Sequence, residues 1–279
     1  VPQIIRTGLS HFKPARRMRD QLLKDLGMPA DVMRFVNYPT RFDCRETLKA
    51  LKGTDIAVPP LESYAYKLWD YWERHLDPDL FIDRSLGGAV RNKVVLITGA
   101  SAGIGKAAAL KIAEAGAKTL LVARTEEKLL ETRQQIEAKG GSAFIYTADV
   151  ADLASCDALV QRVIAEHGGV DILINNAGRS IRRAIENSLD RFHDYERTMQ
   201  LNYFGALRLI MGFIPSMLKK KRGHVINISS IGVLSNAPRF SAYVSSKAAL
   251  DAFARCAVAE FSDSGIEFTT INMPLVRTE

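Results

Sequence analysis

Tyr243 and Lys247 stand four residues apart, so on a helix both side chains leave the same face. An ammonium beside a phenol favours the phenolate, which makes a tyrosine a usable proton donor near neutral pH. Ser230 lies thirteen residues before the tyrosine, at the end of the strand-like run His224-Val225-Ile226-Asn227-Ile228-Ser229. There its hydroxyl could bind and fix a substrate oxygen. A further piece, Thr98-Gly99-Ala100-Ser101-Ala102-Gly103-Ile104-Gly105, follows the apolar run Lys93-Val94-Val95-Leu96-Ile97. Its glycines let the backbone turn sharply and approach phosphate oxygens without Cβ clashes. A strand that hands over to a helix at such a turn seats a dinucleotide pyrophosphate on the helix N-terminus. The pieces together describe proton delivery beside a bound dinucleotide.

The elements that must position these residues begin near Arg91. From there strand candidates at 93–98, 118–123, 143–148, 170–175, 224–229 and 266–271 alternate with helical patterns. Several are near-continuous apolar runs, as expected of parallel strands buried on both faces. Gly116 and Gly140 fall at two helix C-termini. The pattern predicts an α/β fold, a doubly wound parallel (Rossmann) sheet over 91–279. Residues 1–90 differ: they hold both tryptophans and most of the prolines, and no catalytic motif. They read as a mainly helical extension or linker, with helices expected at 15–26 and 61–76. In the second, Tyr64, Leu68, Trp69 and Trp72 form an apolar stripe that needs a partner surface.

Two sets of arginines bear on ligands. Arg124 ends the second strand, where the adenosine ribose should lie. An acidic residue there accepts hydrogen bonds from a 2′-hydroxyl, whereas an arginine pairs with a 2′-phosphate, so the expected cofactor is NADPH. Arg179, Arg182 and Arg183 follow Asn175-Asn176-Ala177-Gly178 at the carboxyl end of the fourth strand. On that side of the sheet they could clamp substrate phosphates such as those of coenzyme A.

Bulk properties narrow the classes. The net charge of +7 is spread along the chain, with no concentrated basic stripe or module for nucleic acid. No stretch approaches the roughly 18 consecutive apolar residues of a membrane span, and none is expected. Cys44, Cys156 and Cys256 are few and widely separated, which favours reduced thiols and a cytoplasmic protein. Cys156 and Cys256 fall in helical patterns and read as packed core thiols. The five histidines show no metal-ligand spacing, so no metal is expected. Val1-Pro2-Gln3 carries no initiator methionine and reads as a cut from something longer.

From about residue 91 onward the chain resembles the short-chain dehydrogenase/reductase superfamily. Thr98, Gly99, Gly103 and Gly105 match its glycine turn, and 175–178 its Asn-Asn-Ala-Gly stretch. Asn202, Ser230, Tyr243 and Lys247 match its catalytic set. The resemblance implies that Asn202 holds a proton-relay water, that Lys247 also holds the nicotinamide ribose, and that Asp149 contacts adenine. It further implies cofactor contacts from Ser101, Ile104, Asn176, Ala177, Gly178, Val276 and Thr278. Met273 and Pro274 stand where the family usually has Pro and Gly, which alters the expected nicotinamide pocket. A last helix and strand of the family are expected beyond Glu279.

The stretches 37–43, 69–81, 175–183, 190–197 and 271–278 are similar to bacterial fatty acyl-CoA reductases, including the two-domain, alcohol-forming ones of marine bacteria. The resemblance implies NADPH-dependent reduction of a long-chain acyl-CoA or a fatty aldehyde towards the alcohol. It also implies a homo-oligomer and a partner N-terminal reductase domain outside this chain. The residues leave two alternatives open: reduction of another carbonyl, such as a 3-ketoacyl thioester or other ketone, and a non-catalytic NADP-binding module.

Overall fold

A computed structural model describes residues 43–57, 59–75 and 83–277. These fall into two units, one within 43–75 and the other over 83–277. In the first, helix α1 (Arg45–Leu51) is followed by a 3-10 turn (Leu61–Ser63) and helix α2 (Ala65–His75). On α2 the Trp69 and Trp72 rings lean together, centroids 5.4 Å apart. The helix expected at 15–26 lies outside the described residues.

In the second unit a short helix α3 (Leu86–Val90) leads into strand β1 (Val94–Thr98). Helix α4 (Gly103–Glu114), β2 (Lys118–Ala123), α5 (Glu126–Glu137) and β3 (Ser142–Thr147) follow. After them come α6 (Leu153–His167) and β4 (Ile172–Asn175). A long helical run is then built from α7 (Phe192–Met199), a π turn (Gln200–Gly205) and α8 (Ala206–Lys220). Finally come β5 (Gly223–Ser230), a short α9 (Ile231–Ser235), α10 (Ser241–Glu260) and β6 (Ile266–Met273). The strands pair in parallel in the order β3-β2-β1-β4-β5-β6. All six strands lie within two residues of their sequence-expected ends, and the doubly wound sheet is the expected one.

Alternation along the strands builds a core on each face of the sheet. Leu96, Leu120, Val122 and Leu173 pack with α6, α8 and α10 through Val163, Phe213, Met217 and Leu250. Val95, Ile97, Leu121 and Ile174 pack on the other face with α4 and α5 through Ala109, Ile112, Leu129 and Ile136. Fully burying a side chain the size of Leu or Phe contributes about 1.5–3 kcal/mol, so these layers fix the sheet and what stands at its end.

The run from Phe192 to Lys220 is long and apolar enough to cross a membrane by length and composition. In this fold Leu209, Ile210, Phe213 and Met217 spend its apolar side on the sheet. One expectation is corrected: Cys156 is buried, but Cys256 is exposed, because Ala254 and Ala257 take the inward face of α10. Burial, aided by nearby aspartates, pushes the Cys156 thiol up to about 11.

Candidate active site

β1 and β4 are parallel neighbours in the sheet, but the chain leaves β1 towards β2 on one side and β4 towards β5 on the other, so a crevice opens beyond their carboxyl ends. Thr98 ties the two strand ends together. Its Oγ1 accepts the backbone N–H groups of Asn176 and Ala177 at 3.0 and 2.9 Å and donates to the Ile174 carbonyl at 3.3 Å. Asn176 answers with Nδ2, which donates to the Thr98 carbonyl at 2.9 Å. The glycine turn is pinned across this joint. Gly99 and Gly103 take left-handed φ values of +68° and +54°, a region costly for residues with a Cβ. Gly105 is required for space instead: a Cβ there would run into the Gly99 carbonyl oxygen.

α4 opens directly on this turn, and Ala102 provides no side-chain cap for its first N–H groups. An uncapped helix N-terminus reached through glycines suits an anion such as a pyrophosphate. A cavity of about 640 Å³ lies there, bordered by Gly99, Ser101, Ala177 and Gly178 and, further out, by Arg124 and Asp149. Asp149 is held in the turn after β3, where its Oδ1 accepts the Ala151 N–H at 2.9 Å. Arg124 is exposed at the end of β2. Thr125 and Lys128 share that wall, and Arg197 and Gln200 close it from α7 and the π turn. Sequence reasoning missed these four. Lys128 could have been found as the residue one helical turn after Arg124; Arg197 and Gln200 carry no such local signal.

A second cavity of about 490 Å³ adjoins the first, with Gly178 and Arg179 on both. Ser230, Tyr243 and Lys247 all line it, as do Ile104, Asn176 and Val276. Ser230 ends β5 and caps α9, its Oγ accepting the Gly232 N–H at 3.1 Å. That leaves its own O–H free to donate. Lys247 is 3% exposed, and its Nζ donates to the Ile228 carbonyl at 2.7 Å. Burial pushes this ammonium down to about 8, against the opposing charge of Asp251. Much of the remaining wall is apolar, from Ile228, Ile231, Phe240, Val244, Met273 and Leu275, with Ser180, Ser229 and Ser235 among them. Thr278 lies outside the described residues.

Asn202 sits in the π turn, 1% exposed. Its Nδ2 donates to the Arg179 carbonyl at 3.0 Å and to Ser246 Oγ at 2.9 Å, and its Oδ1 accepts the Arg179 N–H at 2.8 Å. Both amide hydrogens are therefore spent on the protein, and Asn202 fixes the backbone of the loop after β4. Gly178 lets that loop pass: a Cβ on it would lie 3.2 Å from Asn202 Oδ1 and 3.4 Å from Lys247 Nζ.

The three arginines of this loop part company. Arg179 borders both cavities, whereas Arg182 is exposed and borders neither. Arg183 turns to Asp194, a carboxylate only 2% exposed, with its Nε 3.4 Å away. Arg191, at 3.1 Å, and Arg197 pair with the same aspartate. Burial opposes ionisation of Asp194, but the arginine hydrogen bonds outweigh it and hold the carboxyl below its ordinary range.

Comparison with known proteins agrees with this geometry. The family described as "short chain dehydrogenase" matches residues 93–279. The chain is 61% identical over 189 residues to a fatty acyl-CoA reductase of Acinetobacter baylyi, covering 68% of this chain and 64% of that protein. It is 46% identical over 206 residues to a fatty acyl-CoA reductase of Mycobacterium tuberculosis, covering 73% and 70%. The chain thus spans less than two thirds of the length of the Acinetobacter protein. Among solved structures, a metagenomic short-chain oxidoreductase in complex with NADP superposes with a TM-score of 0.63 at 31% identity, over 68% of this chain and 85% of that one. With the glycine turn, the parallel sheet and the Ser-Tyr-Lys cavity all in their places, the chain belongs to the short-chain dehydrogenase family of oxidoreductases.

Proposed function

We propose that this protein is an NADPH-dependent reductase of long-chain fatty acyl-CoA or fatty aldehyde. The observation that carries the reading is the junction at Gly178 and Arg179, where the cavity at the glycine turn meets the largely apolar one that holds Ser230, Tyr243 and Lys247. The glycine turn, the uncapped start of α4 and the Arg124–Lys128 wall fit a dinucleotide that carries a 2′-phosphate. When bound, NADPH supplies a hydride to the substrate carbonyl carbon. Ser230, its Oγ anchored by Gly232, donates its O–H to the carbonyl oxygen, and Tyr243 passes that oxygen a proton. Lys247, while charged, favours the phenolate left behind. Asn202 holds the Arg179 backbone and with it the mouth between the cavities.

The apolar wall suits an alkyl chain, and Arg179 is the residue of its loop best placed for a coenzyme A phosphate. Two relatives bear the name fatty acyl-CoA reductase, which favours these substrates over other ketones. The reading extends to a cytoplasmic homo-oligomer: Phe204, Met211 and Leu218, exposed at seven-residue steps, offer a face for it, testable by light scattering. NADPH oxidation measured with palmitoyl-CoA, decanal and a 3-ketoacyl thioester tests the substrate. Turnover of either of the first two supports the reading; turnover of the ketone alone, or of none, defeats it.

A further inference from the structure

α10 carries a third ionisable side chain on the face that bears Tyr243 and Lys247. Asp251 follows Lys247 by four residues, the same step that separates Lys247 from Tyr243. Lys247 and Asp251 are both withdrawn from solvent, 3% and 5% exposed. Asp251 Oδ1 is sealed in without a hydrogen-bond partner. Burying a carboxylate in this way is costly, and helix-on-sheet packing does not call for one. Lys247, for its part, is held by the Ile228 carbonyl, a bond that a neutral amine makes as well. The carbonyl alone therefore does not keep the lysine charged.

We propose that Asp251 is a positioning residue of the active site: from one helical turn away, its buried carboxylate supplies the counter-charge that keeps Lys247 protonated beside Tyr243. This rests on the reading of Tyr243 and Lys247 given above. Groups on the surrounding elements leave the role open to it. On α10 itself, Tyr243 precedes Lys247 and the exposed Arg255 follows Asp251. β5 presents the Ile228 carbonyl and the hydroxyls of Ser229 and Ser230, the π turn presents Asn202, and β6 presents Asn272, all uncharged. α7 brings Tyr195, bonded to Ser241 Oγ at 2.8 Å, and Asp194, already surrounded by arginines. Glu267 of β6 faces His224 instead. Burial raises the Asp251 carboxyl, and the Ser229 hydroxyl, Arg255 and Lys247 counter that rise.

The test uses the full chain without cofactor, labelled with 13C at lysine Cε. The Lys247 resonance is identified by its loss in Lys247→Met and followed against pH. Its midpoint is expected near 8. Asp251→Asn removes an anion about one turn away, so the midpoint should fall by roughly one to two pH units, while Asp251→Glu should hold it near the parent value. An unmoved midpoint in Asp251→Asn overturns the proposal. Should that variant fail to fold, Asp251→Ser carries the test: loss of the carboxylate must lower the midpoint, and an unmoved midpoint overturns the proposal equally. In NADPH oxidation the alkaline limb of kcat should move down in step with the midpoint, whereas a structural role lowers activity at every pH alike. Retained turnover in Lys247→Met would sink the underlying site reading, and the titration of Lys247 would still stand or fall by itself.

Discussion

Replacing Gly105 with alanine should loosen the cofactor cradle and the domain together. The new Cβ would press on the Gly99 carbonyl oxygen, 2.8 Å from the Gly99 carbonyl carbon and 2.5 Å from Asn176 Nδ2. These are backbone and a bonded amide, not the free end of a flexible side chain, so the turn itself has to move. Overpacking of this kind costs about 1–3 kcal/mol. Displacing Asn176 from the Thr98 carbonyl forfeits a hydrogen bond worth about 1 kcal/mol. Against this, alanine gains roughly 1 kcal/mol over glycine inside a helix. The net loss is about 1–3 kcal/mol, which for a domain of this size lowers Tm by roughly 3–10 °C. Gly140→Ala is the control: φ is +77° there, but the space around its Cβ is open, so it should show only the backbone cost of about 1 kcal/mol. Thermal unfolding and NADPH fluorescence titration of both variants measure the contrast. Gly105→Ala should weaken NADPH binding and Gly140→Ala should not. A Gly105→Ala protein as stable as the parent, with NADPH affinity intact, would refute the steric reasoning.

Arg124→Ala should weaken NADPH binding about tenfold, near 1.5 kcal/mol, the lower end for a charge-assisted bond because Arg124 is exposed. NADH binding should be unchanged, and equal losses for both cofactors would make Arg124 structural. Tyr243→Phe should lower kcat by roughly 10²–10⁴-fold with NADPH affinity preserved; stopped-flow turnover checks this, and unchanged kcat excludes Tyr243 as the acid. Arg179→Glu should raise KM for palmitoyl-CoA steeply and leave decanal kinetics nearly untouched, since the aldehyde has no phosphate. Arg182→Glu, on neither cavity, should leave both substrates alone. Arg183→Glu sets a second carboxylate against buried Asp194 and should lower Tm before it changes either KM.

What the sequence by itself determined are the features written in local spacing. Apolar runs of strand length and their separation gave all six parallel strands. Tyr243 and Lys247 share a face because four residues make about one helical turn. The glycines of the turn were legible because few other residues tolerate φ values such as that of Gly99. Tertiary structure alone decided the rest. Arg179, Arg182 and Arg183 look equivalent in the chain, yet only the folding of α7 against the loop places a buried carboxylate, Asp194, beside Arg183 and takes it away from the cavities. Arg197 and Gln200 reach the cofactor wall through the same packing, and Asn202 finds its partners across 23 and 44 residues. Such choices depend on how each helix is rotated against the sheet, which is set by the summed burial of many distant side chains. No spacing between near neighbours encodes that sum, whereas helical turn and strand pleat are fixed by the backbone within a few residues.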